Sequence, residues 1–319
     1  MFVIIGTANI DLVVSGFDKM PVVMGDEFTT SSLVFCDDAL QMLLGGNGAN
    51  CAYVLAGLGA HVSLCSAVGE DQLGRIVRNY LTEQGVDLAG FVQHPAHATA
   101  FTTIVSDRAL NRLAFHHPGA LAAYALSDIP PALLTRATVL LATSFSIMPQ
   151  LRRDGFAQAL RTAHQQGAIT ALDIGPAIGK PTHIDELIPV LPVVDFLLTN
   201  RHELSVCTGE TDVGRGAGRL LSAGAACVIV KQGGDGATIY QAGCRAHVPG
   251  YAVEVHSTVG AGDAFNAGLL CARRQGASLE DAVRFGNAVA ALVISSGRGI
   301  LGCPSLTRAI EFQRQADAP

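Results

Sequence analysis

No apolar run in this sequence reaches the roughly 18 residues that a membrane-spanning helix needs. The longest candidate, 187–198, is cut by Pro189, Pro192 and Asp195. The eight cysteines include no Cys-x-x-Cys pair, so neither a zinc knuckle nor a dense disulfide framework is indicated. Scattered in this way, they read as reduced thiols acting as small core residues. Basic charge is also short: 21 Lys and Arg stand against 27 Asp and Glu, a net charge of −6. That balance argues against nucleic acid or an anionic membrane as a partner. The N-terminus lacks a positive segment and turns polar at Asn9 and Asp11, so it reads as a buried strand rather than a signal peptide. The expectation is a soluble, cytoplasmic protein.

Two common nucleotide motifs are missing as well. The only Gly-Lys, Gly179-Lys180, is followed by Pro181, which excludes a Walker A loop. A dinucleotide G-x-G-x-x-G fails at 260–265, because Phe265 stands where the last Gly or Ala belongs.

What is present is apolar. Hydrophobic residues make up 49% and charged residues 15%, so the chain can bury a large core and is not disordered. Its 319 residues suit two domains, or one large α/β unit with an appendage. Apolar runs at 2–5, 62–67, 139–142, 169–172, 196–199 and 227–231 alternate with helical patterns such as 74–84 and 155–165, closed by Gly85 and Gly167. Continuous apolar strands between helices predict a mostly parallel sheet covered on both faces, an α/β architecture. Segments 12–44 and 97–117 break the alternation and predict a small β appendage inserted into one domain. Within it, 99–105 and 112–116 form two strands joined by a turn at 106–111. A helix over 263–275 ends at Gly276, and Ser278 caps another running to Ile294.

Four clusters offer chemistry. In Ser257-Thr258-Val259-Gly260-Ala261-Gly262-Asp263-Ala264-Phe265, small residues at a helix start leave N–H groups free for a phosphate or oxyanion. Asp263 then stands where it can take a proton from an attacking hydroxyl, or it merely stabilises the helix dipole. Gly45-Gly46-Asn47-Gly48-Ala49-Asn50 precedes a small-residue helix over 51–57, with amides suited to sugar hydroxyls, or it is a turn. Asn9 and Asp11 follow the first strand, at the end of a sheet where α/β ligands bind, or form an Asx-type loop. Asn200 and Glu203 fit either a site for hydrated Mg²⁺ or a capping box. Lys231 through Gly236 is a glycine loop or a hairpin turn.

In this order the clusters resemble those of the ribokinase-like, or PfkB, carbohydrate kinases over essentially the full length. Residues 45–50 running to Gly69-Glu70-Asp71-Gln72-Leu73-Gly74 match the N-terminal signature. Gly260-Ala261-Gly262-Asp263-Ala264-Phe265 with Gly268 matches the C-terminal one, Asn200-Arg201-His202-Glu203 the N-x-x-E motif, and Gly233 with Gly236 the nucleotide-side loop. The resemblance implies a single three-layer α/β/α kinase domain over 1–319, a β-sheet lid, and ATP with Mg²⁺. It implies Asp263 as base and Gly260, Ala261 and Gly262 as anion hole. Asn9, Asp11, Gly45, Gly46 and Asn50 would hold a small sugar. Asn200 and Glu203 would manage Mg²⁺ through water, and Lys231, Gly233, Gly236 and Asn287 would line the ATP side. The lid of relatives often forms a dimer contact, so a homodimer is expected.

Three positions depart from the family pattern. Ser257 stands where many members carry an Asp that helps bind a monovalent cation, which argues against K⁺ activation. Lys231 occupies a place often held by Thr, and 141–146 lacks the acid of some ribose-specific members. A nucleoside kinase is the alternative, since 111–120 is similar to nucleoside-phosphorylating members. Phe17, Phe28, Phe35, Phe101 and Phe115 are its candidate stacking wall. A non-catalytic ligand-binding protein is the alternative from another class.

Overall fold

The computed structural model describes residues 1–22, 33–109 and 111–316. Part of the appendage expected over 12–44, namely 23–32 with Phe28, lies outside the described residues, as does Leu110 in the turn at 106–111. The first third of the chain runs β1 (Phe2–Ile5), β2 (Asn9–Phe17), β3 (Gln41–Gly45), α1 (Asn47–Gly57), β4 (Val62–Gly69), α2 (Gln72–Glu83), β5 (Asp87–His94), β6 (Phe101–Asp107) and β7 (Arg112–His117). The middle gives α3 (Pro131–Arg136), β8 (Val139–Ala142), α4 (Phe156–Gln165), β9 (Ile169–Asp173), α5 (Ile184–Leu187), β10 (Phe196–Asn200), α6 (Arg201–Thr208) and α7 (Val213–Ser222). The rest comprises β11 (Cys227–Lys231), β12 (Ala237–Gln241), β13 (Cys244–Val248), α8 (Ala261–Arg274), α9 (Leu279–Ser295) and α10 (Leu306–Ala316).

All six apolar runs join one sheet, ordered β13-β12-β11-β10-β9-β8-β1-β4-β5. The seven strands from β11 to β5 are parallel, and β12 and β13 add an antiparallel edge. Alternate side chains go to opposite cores, as a pleat of period two requires. Phe2, Ile4 and Leu141 pack with α1, α8 and α9, whereas Val3, Ile5 and Leu140 pack with α4, α6 and α7. Each fully buried Ile or Leu contributes about 1.5–3 kcal/mol by leaving water. Helical crossovers between parallel strands gather the strand C-termini at one edge. There the register sets Asn200 opposite Lys231 and Asp173 opposite Leu198.

The appendage is a second sheet, β3-β2-β6-β7, with β2 parallel to β6 and the other pairs antiparallel. It begins earlier than expected. Asn9 and Asp11 open β2, paired to Gly45 and Leu43, instead of forming an Asx loop. The helix expected over 51–57 also starts early, at Asn47. Its first N–H groups find acceptors far away in sequence: Asn47 N donates to Thr7 Oγ1 at 3.2 Å and Ala49 N to Thr7 O at 2.9 Å. Propensity alone could not reveal that cap.

Candidate active site

Gly260, at φ +78°, turns the chain into α8 in a left-handed conformation that suits glycine. Ala261, Gly262 and Asp263 form the first turn, so their N–H groups have no partner within the helix. Asp263 is only 6% exposed, and both its oxygens are held from α1. Asn47 Nδ2 donates to Oδ1 at 2.9 Å and Asn50 Nδ2 to Oδ2 at 2.8 Å. Burial pushes the Asp263 carboxyl up to about 6, against the opposing pull of the two amides. A carboxylate of that basicity is ionised at neutral pH yet accepts a proton more readily than an exposed aspartate.

Asp263 lies where two cavities meet. The smaller, of about 230 Å³, is lined by Asn9, Asp11, Gly46, Asn47, Asn50, Thr102, His116, Gly260 and Asp263. Asn9 Nδ2 donates to Asp11 Oδ1 at 2.7 Å. Burial raises the Asp11 pKa, with hydrogen bonds from Thr102 and Asn9 pulling it back. Asn50 Oδ1 is buried and, among the described residues, has no hydrogen-bond partner. Gly45 does not line the cavity. A Cβ there would come within 2.6 Å of the Asp11 carboxylate, so the residue lets β3 pack against the polar pair instead of touching ligand.

The larger cavity, about 590 Å³, takes in Asn200, Glu203, Lys231, Gly233, Gly236, Asn287 and the turn Gly260–Asp263. Asn200 and Glu203 form the capping box and still reach this space: Asn200 N donates to Glu203 Oε2 and Glu203 N to Asn200 Oδ1, each at 2.9 Å. Burial, then the neighbouring Asp173, raises the Glu203 pKa, while Lys231 opposes them. A Cβ on Gly175 would strike the Glu203 carboxylate, so that glycine cradles it. The loop after Lys231 does lead to a hairpin, β11–β12, as one reading of it held. Asn287 lines the wall, but its Nδ2 is directed to the carbonyls of Val248 and Pro249 at 3.3 and 3.0 Å.

Asn47, whose amide the sequence offers to sugar hydroxyls, holds Asp263. Two contributors are not picked out from sequence as site residues: Asp173 ion-pairs with Lys231 at 2.6 Å, and Asn266 hydrogen-bonds Asp173. Asp173 carried a readable signal, an acid directly after an apolar strand. Asn266 carried another, a polar residue one turn beyond Asp263 on a buried helix face.

Among the described residues the aromatic wall does not form, and Phe28 lies outside them. Phe17 is buried in the lid, Phe101 packs on His117 with ring centroids 5.5 Å apart, and Phe35 and Phe115 are exposed. Strand alternation is the reason: His116 faces the smaller cavity, which turns its neighbour Phe115 the other way.

A family model described as pfkB family carbohydrate kinase matches residues 4–306. The chain is 26% identical to the ribokinase of Haemophilus influenzae, with 98% of each chain covered. It is 28% identical to the 5-dehydro-2-deoxygluconokinase of Photobacterium profundum over 79% of this chain and 80% of that one. Among solved structures, Arabidopsis thaliana ribokinase complexed with ribose and ATP superposes with a TM-score of 0.84 at 23% identity, covering 98% of both chains. The ribokinase-like fold follows from that superposition, and with the family match spanning nearly the whole chain the protein belongs to the pfkB family of carbohydrate kinases.

Proposed function

We propose that this sugar kinase moves the γ-phosphoryl group of ATP to a hydroxyl of a small uncharged sugar. One observation carries the reading: Asp263 stands in the shared wall of two cavities, in the first turn of a helix where Ala261 N donates to Thr258 O at 3.3 Å and the N–H groups of Gly262 and Asp263 have no acceptor within the helix. A sugar in the smaller cavity and a nucleotide in the larger would meet there. Asp263 takes the hydroxyl proton, and the turn Gly260–Gly262 receives the transferred group. Asn9 and Asp11 supply the sugar-binding polar atoms, Asn50 lines the same cavity, and Gly46 forms the floor.

Electrostatics support an uncharged substrate. The smaller cavity presents Asp11 and Asp263 and, among the described residues, no Lys or Arg. His116 does not compensate, because burial and then His117 lower its pKa. Segment 23–32 contains no Lys or Arg either. A sugar acid or sugar phosphate would meet like charge without a partner. No Phe or Tyr among the described residues lines this cavity, which favours a sugar over a nucleoside.

Among the described residues no three His, Cys, Asp or Glu converge as a metal cage. The donor set instead suits Mg²⁺ that arrives hydrated on the nucleotide, with Glu203 and Asn200 meeting its waters. Mg²⁺ would neutralise charge on the β- and γ-phosphates. All eight cysteines are free, which suits the reducing cytoplasm. Among the described residues, no helix is long and apolar enough to cross a membrane.

The test is ATP consumption with Mg²⁺ over a panel of neutral pentoses and hexoses, sugar acids and nucleosides. Turnover confined to neutral sugars is expected, and preference for an acid or a nucleoside would overturn the assignment.

The lid supports a second proposal, a homodimer. All six residues of edge strand β7 are exposed, and Leu113 and Phe115 there are 51% and 56% exposed. An apolar edge of this kind suits pairing with a second copy. Light scattering at micromolar concentration should give twice the 33.1 kDa chain mass, and a strictly monomeric mass rejects the contact.

A further inference from the structure

At the floor of the larger cavity a carboxylate, an ammonium and an amide close a polar triangle. Asp173 is 3% exposed at the C-terminal end of β9. Its Oδ2 accepts from Lys231 Nζ at 2.6 Å and from Asn266 Nδ2 at 2.5 Å, and its Oδ1 accepts from Gly175 N at 3.0 Å. Lys231 Nζ also donates to Asn266 Oδ1 at 3.3 Å. The three side chains come from β9, β11 and α8.

The direction of the ammonium is the telling feature. An ammonium has three protons, and the triangle engages two of them. Lys231 Nζ stands 3.4 Å from where a Cβ of Gly262 would lie, against the first turn of α8 and one residue from Asp263. Burial opposes the Lys231 charge, but Asp173 and then Glu203 outweigh it, so its pKa lies above the ordinary lysine value. It therefore stays charged throughout the neutral range.

We infer that Asp173 is a positioning residue which, with Asn266, holds the Lys231 ammonium against the first turn of α8, so that Lys231 contributes a fixed positive charge to the phosphoryl group in transfer. The inference rests on the kinase reading above. In the step, the sugar oxygen bonds to the γ-phosphorus and the bond to the β–γ bridging oxygen breaks, its electron pair leaving on ADP. The hydroxyl proton passes to Asp263, and Lys231 keeps its own. A charge fixed in advance needs no reorganisation as the reaction proceeds, which is what makes such groups effective. An ion pair that served the fold alone would gain little from this location, since buried pairs add little net stability over apolar packing.

The charged and titratable groups around Asp263 are Asp173 from β9, Lys231 from β11, Cys51 from α1 and Glu203 from α6, with Asp11 from β2 and His116 from β7 lining the smaller cavity beside it. Asp173 raises the Asp263 pKa and Lys231 lowers it. Asp173→Asn should therefore move the acid limb of the kcat profile to lower pH, and Lys231→Met should move it to higher pH. Each substitution should also lower kcat by about 10²-fold, the usual loss for one transition-state charge partner. The decisive variant is Asp173→Asn/Lys231→Met, which leaves no uncompensated charge to disturb folding. If Lys231 acts on the phosphoryl group, the double variant is as slow as Lys231→Met. If the pair serves only the fold, the double variant recovers wild-type kcat, and the inference is overturned.

Calorimetry with a β,γ-imido ATP analogue and with ADP gives a readout that needs no sugar. The Lys231 variants should bind the analogue at least about 10-fold more weakly and ADP unchanged, for the same electrostatic reason. Equal losses for both nucleotides, or none, would place Lys231 away from the γ-phosphate and end the inference while leaving the kinase reading intact. A wild-type protein that binds neither nucleotide ends both.

Discussion

Asp263→Asn is expected to lower kcat by about 10²–10⁴-fold, the usual worth of a positioned general base, with sugar affinity largely retained. The fold should tolerate it. Asn50 Oδ1 has no partner among the described residues, so a flip of the Asn50 amide offers the new side-chain NH₂ an acceptor. An Asp263 that only stabilised the helix start would give the opposite result, full turnover and a stability loss of about 0.3–1 kcal/mol. Steady-state kinetics beside thermal unfolding separates the two outcomes.

The same residue, as the proposed base, is expected to set the pH dependence of the wild type. Asp263 must be ionised to accept a proton, and burial holds its pKa at about 6. Turnover should be full above that value and fall on acidification through it. Stability runs the other way. A carboxyl whose pKa is raised on folding, here from 3.8 to about 6, binds more protons folded than unfolded between those two values. This group's share of stability is therefore present at low pH and lost as pH rises through about 6. A wild-type acid limb below pH 4.5 would show that the carboxylate is better solvated than its burial implies.

How much of this was legible in the sequence depends on how local each cause is. Strand β8 and strand β11 fall on the apolar runs residue for residue, because strands covered on both faces leave an unbroken apolar record. The start of α1 was missed by four residues because its cap, Thr7, belongs to the connection between β1 and β2. For the Asn9–Asp11 pair the sequence leaves a ligand-binding strand end and an Asx-type loop both open, because two polar residues after an apolar strand look like a turn. Only the pairing with β3 shows them to be the root of the lid. Among the site residues, Asp263 and its glycine turn could be read locally, since a helix start is a local feature. Asp173 and Asn266 could not be linked to Lys231 by any local rule, being 58 and 35 residues away from it. The motif at 200–203 forms a capping box and also lines the larger cavity, so the cap does not exclude the proposed role beside a nucleotide.

Gly46→Ala is expected to cost at least about 100-fold in kcat/KM, although the residue brings no functional group. Gly46 sits at φ +92° and ψ 128° between β3 and α1. A Cβ there would lie 2.5 Å from Thr7 O and 2.9 Å from Ala8 Cα, backbone atoms that cannot step aside alone. Thr7 O is also the acceptor for Ala49 N, so the added methyl pushes on the contact that seats α1. The asparagines holding both oxygens of Asp263, Asn47 and Asn50, lie on the first turn of that helix. A displacement of about 1 Å at such a point is enough for a 10²-fold loss. Backbone strain adds about 1–3 kcal/mol of destabilisation, seen as several degrees in Tm. Gly59→Ala separates strain from displacement. Gly59 lies just past the other end of α1 at φ +80°, with nothing within 4 Å of a Cβ. It incurs the left-handed penalty without a collision, so Tm should fall modestly and kcat should hold. Equal kcat in the two variants would mean that Asn47 and Asn50 follow Asp263 wherever α1 goes, and the precision assigned to this corner of the site would be wrong.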